Sequence, residues 1–321
     1  MNYEKFSKGQ RLLYLHNLLL QGETLVPEII VNLFSIDKRT YQRDINELKA
    51  FFADTHTGVE LEHVKGQGHR IKHCEVMCLS KQEVMVLAKI LLESRAFPRE
   101  EMNSMLEKLM RMCDPRHKKV VKEAVLNEMF HYRPVVHGKV LFDMIWEMNQ
   151  AIQQRRLVDL TYYKAGEQQP VRRRVEPLAI MFSEFYFYLI ANRNDKEYPY
   201  PAIFRLDRVE EFTVTQDRFR LPYADRFEEG EFRKRVQFMQ SGELTTLRII
   251  YRGDYLEAVL DRLPTAKIIR QQPGEAELEA KVFGRGVGMW LLSQGPSMEV
   301  VAPQDFRHQM RDTISGMLQR Y

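Results

Sequence analysis

Leu160-Thr161-Tyr162-Tyr163-Lys164, Arg172-Arg173-Arg174-Val175-Glu176-Pro177, Phe185-Tyr186-Phe187-Tyr188-Leu189-Ile190-Ala191 and Phe204-Arg205-Leu206-Asp207-Arg208 follow one another in the middle of this 321-residue chain. Val158, Leu160 and Tyr162 alternate with polar neighbours in period two. Phe185, Phe187 and Leu189 point one way, and Tyr186, Tyr188 and Ile190 the other. Phe204 and Leu206 share a face, which turns Arg205 and Asp207 to the opposite side. Gly166, Pro170 and the run Asn192-Arg193-Asn194-Asp195 break the segments into short strands, so the stretch predicts a small β-barrel. Arginine matches phosphate oxygens with a planar fork, and a tyrosine or guanidinium face can stack a base. The chemistry therefore predicts a site for an anionic ligand of nucleotide or oligonucleotide type. Arginines at one mouth repel each other without an anion, unless they pair internally, as Arg173 with Glu176 or Arg208 with Glu211.

The rest of the chain says what such a site would control. A net charge of +4 permits nucleic-acid binding but does not establish it, because the charge that matters is local. The first residues are polar with no apolar h-region after them, and no segment approaches the roughly 20 apolar residues of a membrane span. Cys74, Cys78 and Cys113 are too few for a disulfide framework. The expectation is a reduced, cytoplasmic protein without membrane contact.

At the start of the chain, Ser7 and Gln10 have capping-box spacing ahead of Leu12, Leu15 and Leu19, and Gly22 ends that helix. Pro27 opens a second helix with an Ile29, Ile30, Leu33 stripe. Asp37 caps a third, which places Tyr41, Ile45, Leu48 and Phe52 on one face and Lys38, Arg39, Gln42, Arg43, Asn46 and Lys49 on the other. Those are the side chains that reach base edges and phosphates, as a helix-turn-helix requires. Leu61 to Ile71 reads as two strands around a glycine-bearing turn, a basic wing in which Lys65 and Arg70 would hold backbone phosphate.

From about Met77 to Gln154 the pattern is helical. Ser80 and Glu83 form a second capping box ahead of Val84, Leu87, Ala88 and Leu91. Pro98 opens a stripe of Met102, Met105, Leu106 and Leu109, Asp114-Pro115 opens one through Val121, Val125 and Met129, and a last helix runs through Leu141, Ile145, Met148 and Ile152. Methionines at helical spacing are read as core rather than as a partner surface. From Leu244 the order is strand, helix, strand, strand, helix, strand, helix: a ferredoxin-like unit with one added helix.

Several motifs are set aside. His69, His73, Cys74 and Cys78 fit no standard zinc spacing. Gly284-Arg285-Gly286-Val287-Gly288 has Met289 at the third glycine position of a dinucleotide fingerprint, so its glycines are read as a tight turn, leaving Arg285 as a residue that a ligand between domains would meet. Neither a Ser-His-Asp nor a paired-carboxylate arrangement can be assembled, and the reading is a protein that is no enzyme and uses no cofactor.

Tyr162, Arg173-Arg174-Val175-Glu176-Pro177-Leu178, Phe187-Tyr188-Leu189-Ile190-Ala191 and Phe204-Arg205-Leu206-Asp207-Arg208-Val209 resemble, in order and spacing, the WYL-domain family of bacterial transcriptional regulators, with Phe187 where the eponymous tripeptide has Trp. Lys38-Arg39-Thr40-Tyr41-Gln42-Arg43-Asp44-Ile45 looks like the recognition helix usually fused to that domain. Met289 to Pro296 and Val300 to Pro303 are similar to the extension called WCX. The resemblance implies an α+β chain: winged helix-turn-helix (1–75), helical connector that also dimerises (76–155), Sm-like WYL barrel (156–226) and ferredoxin-like WCX domain (227–321). It also implies sensing of nucleic-acid-type ligands, often in DNA damage or phage defence, with Tyr162, Arg173, Tyr188, Arg205 and Arg208 as sensor positions.

Together these readings predict a homodimeric regulator of transcription that binds a double-stranded, inverted-repeat operator through Lys38, Arg39, Gln42, Arg43, Lys65 and Arg70, and responds to a nucleotide, oligonucleotide or single-stranded effector. The alternative is an accessory subunit that binds nucleic acid through the barrel and modulates a partner enzyme, its N-terminal domain serving only dimerisation.

Overall fold

The computed structural model describes residues 3, 6–20, 22–55, 59–74, 79–113, 115–193, 200–220 and 227–321. Asp114, Asn194 and Asp195, together with Cys78 and the side chains of His73 and Cys74 from the zinc pattern, lie outside the described residues. The chain divides into two compact units, Met1–Val136 and His137–Tyr321.

The first unit begins with α1 (Lys8–Leu20), α2 (Pro27–Phe34) and α3 (Lys38–Asp54), followed by the hairpin β1 (Val59–Val64) and β2 (Gly68–Cys74). Both halves of the first capping box form: Gln10 N donates to Ser7 Oγ at 3.3 Å, and Ser7 N donates to Gln10 Oε1 at 2.9 Å. Asp37 Oδ1 accepts from Thr40 N at 2.6 Å, a cap of the kind that contributes about 1 kcal/mol, and this bond holds the Asp37 carboxyl below its usual range. Leu15, Leu19, Ile30, Phe34, Tyr41, Ile45, Leu48 and Phe52 form the core. The expected stripe on α2 is corrected at Ile29, which is exposed; Ile30 and Phe34, four residues apart, carry the buried face.

Beyond the hairpin, α4 (Lys81–Ser94), α5 (Arg99–Arg111) and α6 (Pro115–His131) pack on one another. The Ser80/Glu83 capping box is present, and α4 buries Val84, Ala88 and Leu92, leaving the expected Leu87 exposed. Of the expected stripe Met102 and Leu106 are buried and Met105 and Leu109 half-buried; Met110, outside that stripe, completes the buried face.

In the second unit α7 (Phe142–Gln154) covers a five-stranded antiparallel sheet made of β3 (Arg156–Tyr162), β4 (Val171–Ser183), β5 (Tyr186–Arg193), β6 (Ala202–Arg205) and β7 (Val209–Arg218). Its order is β6-β5-β4-β3-β7, and the two edge strands are joined directly by a 3₁₀ turn at Leu206–Arg208. β4 pairs with β3 through its first half and with β5 through its second, with a register shift at Pro177/Ala179. A proline without an N–H is accommodated at such an irregularity, which lets one long strand bend around the core. Leu141, Met148 and Ala151 meet Val158, Leu160, Tyr162, Val175, Leu189 and Phe204 inside it. The expected strand through Arg208 ends at Arg205, because the chain must turn there to enter β7.

β5 is buried on both faces: Leu189 and Ala191 enter that core, and Ile190 packs with Met181, Phe232, Val236 and Phe283. Phe232 belongs to a short helix, α8 (Glu229–Arg235), that has no strong periodic signal. The remaining elements are β8 (Leu244–Tyr251), α9 (Leu256–Arg262), β9 (Lys267–Gln272), β10 (Glu275–Phe283), α10 (Gly284–Ser293), β11 (Met298–Ala302) and α11 (Gln304–Leu318). The sheet order β11-β8-β10-β9 is the ferredoxin-like arrangement the sequence predicts. The Gly284–Gly288 glycines correct one expectation: they open α10 instead of making a tight turn. A Cβ on Gly286 would collide with the Gln237 carbonyl, so glycine there permits a close backbone approach.

Candidate functional site

Two arrangements carry the chemistry predicted from the sequence, one in each unit. In the first unit Lys38, Arg39, Gln42, Arg43, Asn46 and Lys49 are all exposed on α3. Gln42 Nε2 donates to Asn46 Oδ1 at 3.2 Å and Arg43 Nη2 to Thr40 Oγ1 at 3.3 Å, so both amide and guanidinium are steered by neutral groups along the helix. The opposite face is pinned by charge. Arg11 on α1 donates to both oxygens of Asp44, Nε to Oδ2 at 2.6 Å and Nη2 to Oδ1 at 3.1 Å, and Asp44 is fully buried. Asp44 lies three residues after Tyr41 and so falls on the buried face; that spacing was the available signal for it.

The hairpin is fastened to α3 by a second polar lock. Leu25, in the loop before α2, exchanges backbone hydrogen bonds with His69 at 2.7 and 3.1 Å. The Tyr41 hydroxyl lies 2.8 Å from the Leu25 carbonyl and 3.0 Å from His69 Nδ1. A carbonyl only accepts, so the single hydroxyl proton goes to Leu25, and His69 must donate through a protonated Nδ1. Burial, with the positive fields of His63 and Lys49, keeps His69 below the usual imidazole range, and burial pushes the Tyr41 phenol up to about 12. Gly68 has φ +109°, and a Cβ there would collide with the Leu25 carbonyl. The two wing candidates then differ. Lys65 is exposed beside the turn, whereas Arg70 is half-buried and its Nε donates to Glu62 Oε1 at 2.7 Å.

In the second unit Arg205, at the end of β6, faces Tyr188 across the β5–β6 ladder. Its Nε and Nη2 donate to Asp207 Oδ1 and Oδ2 at 3.0 and 2.7 Å, and its Cζ lies 3.4 Å from the centroid of Tyr186. The Asp207 side chain is 6% exposed and that of Arg205 22%. The carboxylate therefore orients the guanidinium while leaving its Nη1 edge uncommitted to Asp207. Tyr188 is pushed up to about 12, mainly by burial, with Arg205 and Arg208 opposing. His137 tilts against Tyr186 at 6.2 Å between centroids, and its Nδ1 accepts from Lys139 N at 3.0 Å. Burial, aided by Arg205 and Lys139 against the pull of Asp207, holds His137 below its ordinary range. Nothing in the sequence flags His137, Tyr186 or Asp207 as one cluster, because their proximity is set by the β5–β6 register and the 3₁₀ turn.

The five positions predicted as sensors thus fall in two places. Tyr188, Arg205 and Arg208 share one electrostatic neighbourhood. Tyr162 is buried, and its hydroxyl accepts from Arg205 N at 3.3 Å, which ties the end of β6 to β3. Arg173 lines a separate groove of about 510 Å³ with Asp159, Thr161, Arg174 and Glu211. In that groove Arg174 donates to both Asp159 oxygens at 2.7 and 2.8 Å and lowers the carboxyl's affinity for a proton.

Residues 143–214 match the WYL domain and residues 241–318 the WCX domain. The chain carries a WYL domain followed by a WCX domain. The WYL domain spans α7 to most of β7 and holds the Arg205–Asp207–Tyr186 cluster; the WCX domain is the ferredoxin-like sheet with α9, α10 and α11. No curated protein matches the chain. Among solved structures, Proteasome accessory factor B/C (PafBC) of Arthrobacter aurescens is 15% identical with a TM-score of 0.29, over 95% of this chain and 46% of that one. The chain thus spans less than half of that protein's length. A CRISPR Cas-related protein is also 15% identical, with a TM-score of 0.37, over 89% of this chain and 73% of that one. No described helix is long and apolar enough to cross a membrane.

Proposed function

We propose that this chain is a ligand-responsive regulator of transcription: a sequence-specific DNA-binding protein whose WYL domain takes a nucleotide or nucleic-acid-type anion. The observation that carries the reading is the division of α3 into two faces. One side is locked into the head by Asp44 and Tyr41; the other offers Lys38, Arg39, Gln42, Arg43, Asn46 and Lys49 to solvent beside a hairpin that ends in Lys65. A rigid helix with an arginine and amide face, followed by a wing, suits a major groove and its flanking phosphates. Arg70, already paired with Glu62, contributes less than Lys65 in this reading.

On the ligand side, Arg205 is pre-oriented by Asp207 and stacked on Tyr186, with Tyr188 and Arg208 beside it. Asp207 offsets the charge of Arg205, and an incoming phosphate meets the remaining guanidinium edge. Occupancy alters DNA affinity only if the ligand binds the two arrangements of the heads unequally. Two chains related by a twofold axis would read an inverted repeat with half-sites about one helical turn apart or a multiple of it.

The test is an electrophoretic shift with duplex DNA from upstream of the protein's own coding region, repeated with short single-stranded oligonucleotides as effector. Arg205→Ala should keep DNA binding and lose the response to oligonucleotide. An unchanged response sinks the ligand assignment, and no shift by the wild-type chain sinks the regulator reading.

A further inference from the structure

A second recess in the same unit lies between the β4–β5 turn and the helical side of the WCX sheet. Its volume is about 460 Å³, and its walls include Phe238, Tyr255 and Trp290, with the polar groups of Glu184, Arg262 and Gln294 among them. This is within the size range of small-molecule sites, which combine flat apolar walls with a few convergent polar groups.

The way the recess is built argues against a chance gap. Gln240 N donates to Gln237 O at 3.1 Å, closing a turn whose central residues, Phe238 and Met239, both have φ +48°. That turn normally takes glycine or asparagine, and two bulky side chains hold it here at a conformational cost. The surroundings enforce it: the Gln237 carbonyl abuts Gly286, Gln237 Nε2 donates to Arg262 O at 3.0 Å, and Met239 is buried. The result is that the Phe238 ring lies under the Arg262 guanidinium at 4.9 Å. Glu184 has φ +57° and places its carboxylate 3.7 Å from Arg262 Nη1, too long for a hydrogen bond. Among the described residues, Arg262 Nε is buried with no hydrogen-bond partner.

We propose that this recess binds a planar nitrogen heterocycle of the nucleobase class. The aromatic walls would take its faces, the Glu184 carboxylate would accept from a ring N–H or exocyclic amine, and the Arg262 guanidinium would donate to the adjacent acceptor. A donor and an acceptor side by side on one flat edge is the pattern that nucleobases present. The carboxylate at the mouth disfavours a phosphate close by, so the base itself is the recognised group. This site is distinct from the Arg205 cluster and does not rest on it.

The chain has two tryptophans, Trp146 and Trp290, and Trp146 is 64% exposed, so Trp146→Phe leaves Trp290 as the only indole reporter inside the recess. Titrating that protein with guanosine, adenosine, cytidine and uridine, by fluorescence and in parallel by calorimetry, should give saturable binding of at least one nucleoside. Tyr255→Ala, at a 68% exposed position, and Glu184→Gln should each weaken it by about tenfold or more, and Arg205→Ala should leave it unchanged. No saturable binding by either method overturns the proposal. So does affinity that both recess variants preserve, or affinity that is lost in Arg205→Ala.

Discussion

Removing Asp44 is the sharpest perturbation of the N-terminal head. Its two oxygens take two charge-assisted bonds from Arg11, and the side chains are 0% and 10% exposed. Asp44→Ala leaves a guanidinium with little access to water and no carboxylate, a change that typically costs about 3–5 kcal/mol. Domains are stable by only about 5–15 kcal/mol in all, and for one of 60–100 residues each kcal/mol moves the midpoint by about 4–8 °C. The head should therefore melt about 12–40 °C earlier, as a transition separate from that of the second unit. Replacing both partners by apolar residues, Arg11→Met with Asp44→Leu, removes the desolvation penalty with the attraction and should recover most of the loss. Both tryptophans lie outside this head, so hydrogen exchange on peptides from α1 and α3 is the suitable assay. A loss below about 1 kcal/mol for Asp44→Ala, or a double variant as unstable as the single one, would refute the idea that this pair fixes α3.

Further outcomes follow from the same geometry. Gly68→Ala combines a strained φ with a collision against the Leu25 carbonyl, so it should break the Leu25–His69 bridge and raise exchange at both amides; unaltered protection would count against the lock. His69 is depressed below its unfolded pKa of about 6.5, so its contribution is fully present above that pH and is lost as the pH falls below it. Head stability measured from pH 7.5 to 5 should decline through that window, and His69→Asn should flatten the decline; parallel curves would rule His69 out as the titrating group. Arg205→Lys keeps the charge but loses the fork that grips Asp207 and the plane that stacks on Tyr186, so it should impair oligonucleotide response nearly as much as Arg205→Ala.

Local signals in the sequence were enough to read much of this architecture. The Ser7, Asp37 and Ser80 caps, the α3 stripe, the alternation in β3 and the opposite faces of Phe187/Leu189 and Tyr188/Ile190 in β5 depend on neighbours a few residues away, and each is found where its spacing puts it. Burial on a helix needs more than the period: Ile29 and Leu87 are apolar yet exposed, because the facing element selects which part of a wide stripe is covered. The candidate sites were legible as residues and not as groupings. Arg173 and Arg205 look alike in the sequence, but the pairing of Arg173 with Leu160 across β3 and β4 puts it at the groove with Asp159, while the turn after β6 supplies Arg205 with Asp207. Asp207 was visible on the Arg205 side of the strand pattern; its bidentate grip required the 3₁₀ turn. The Phe238–Met239 turn was hidden for a different reason. No glycine or asparagine marks it, since packing by Gly286 and Arg262 holds a conformation that local preference opposes.

The central claim is that the exposed face of α3 reads a DNA sequence. Fluorescence anisotropy of the full chain with a labelled duplex from upstream of its own coding region, against a scrambled duplex of equal length at physiological salt, tests it directly. The account predicts a preference of about 10³-fold or more for the upstream duplex, reduced by Arg43→Ala. Equal affinity for the two duplexes, or a preference untouched by Arg43→Ala, would contradict it.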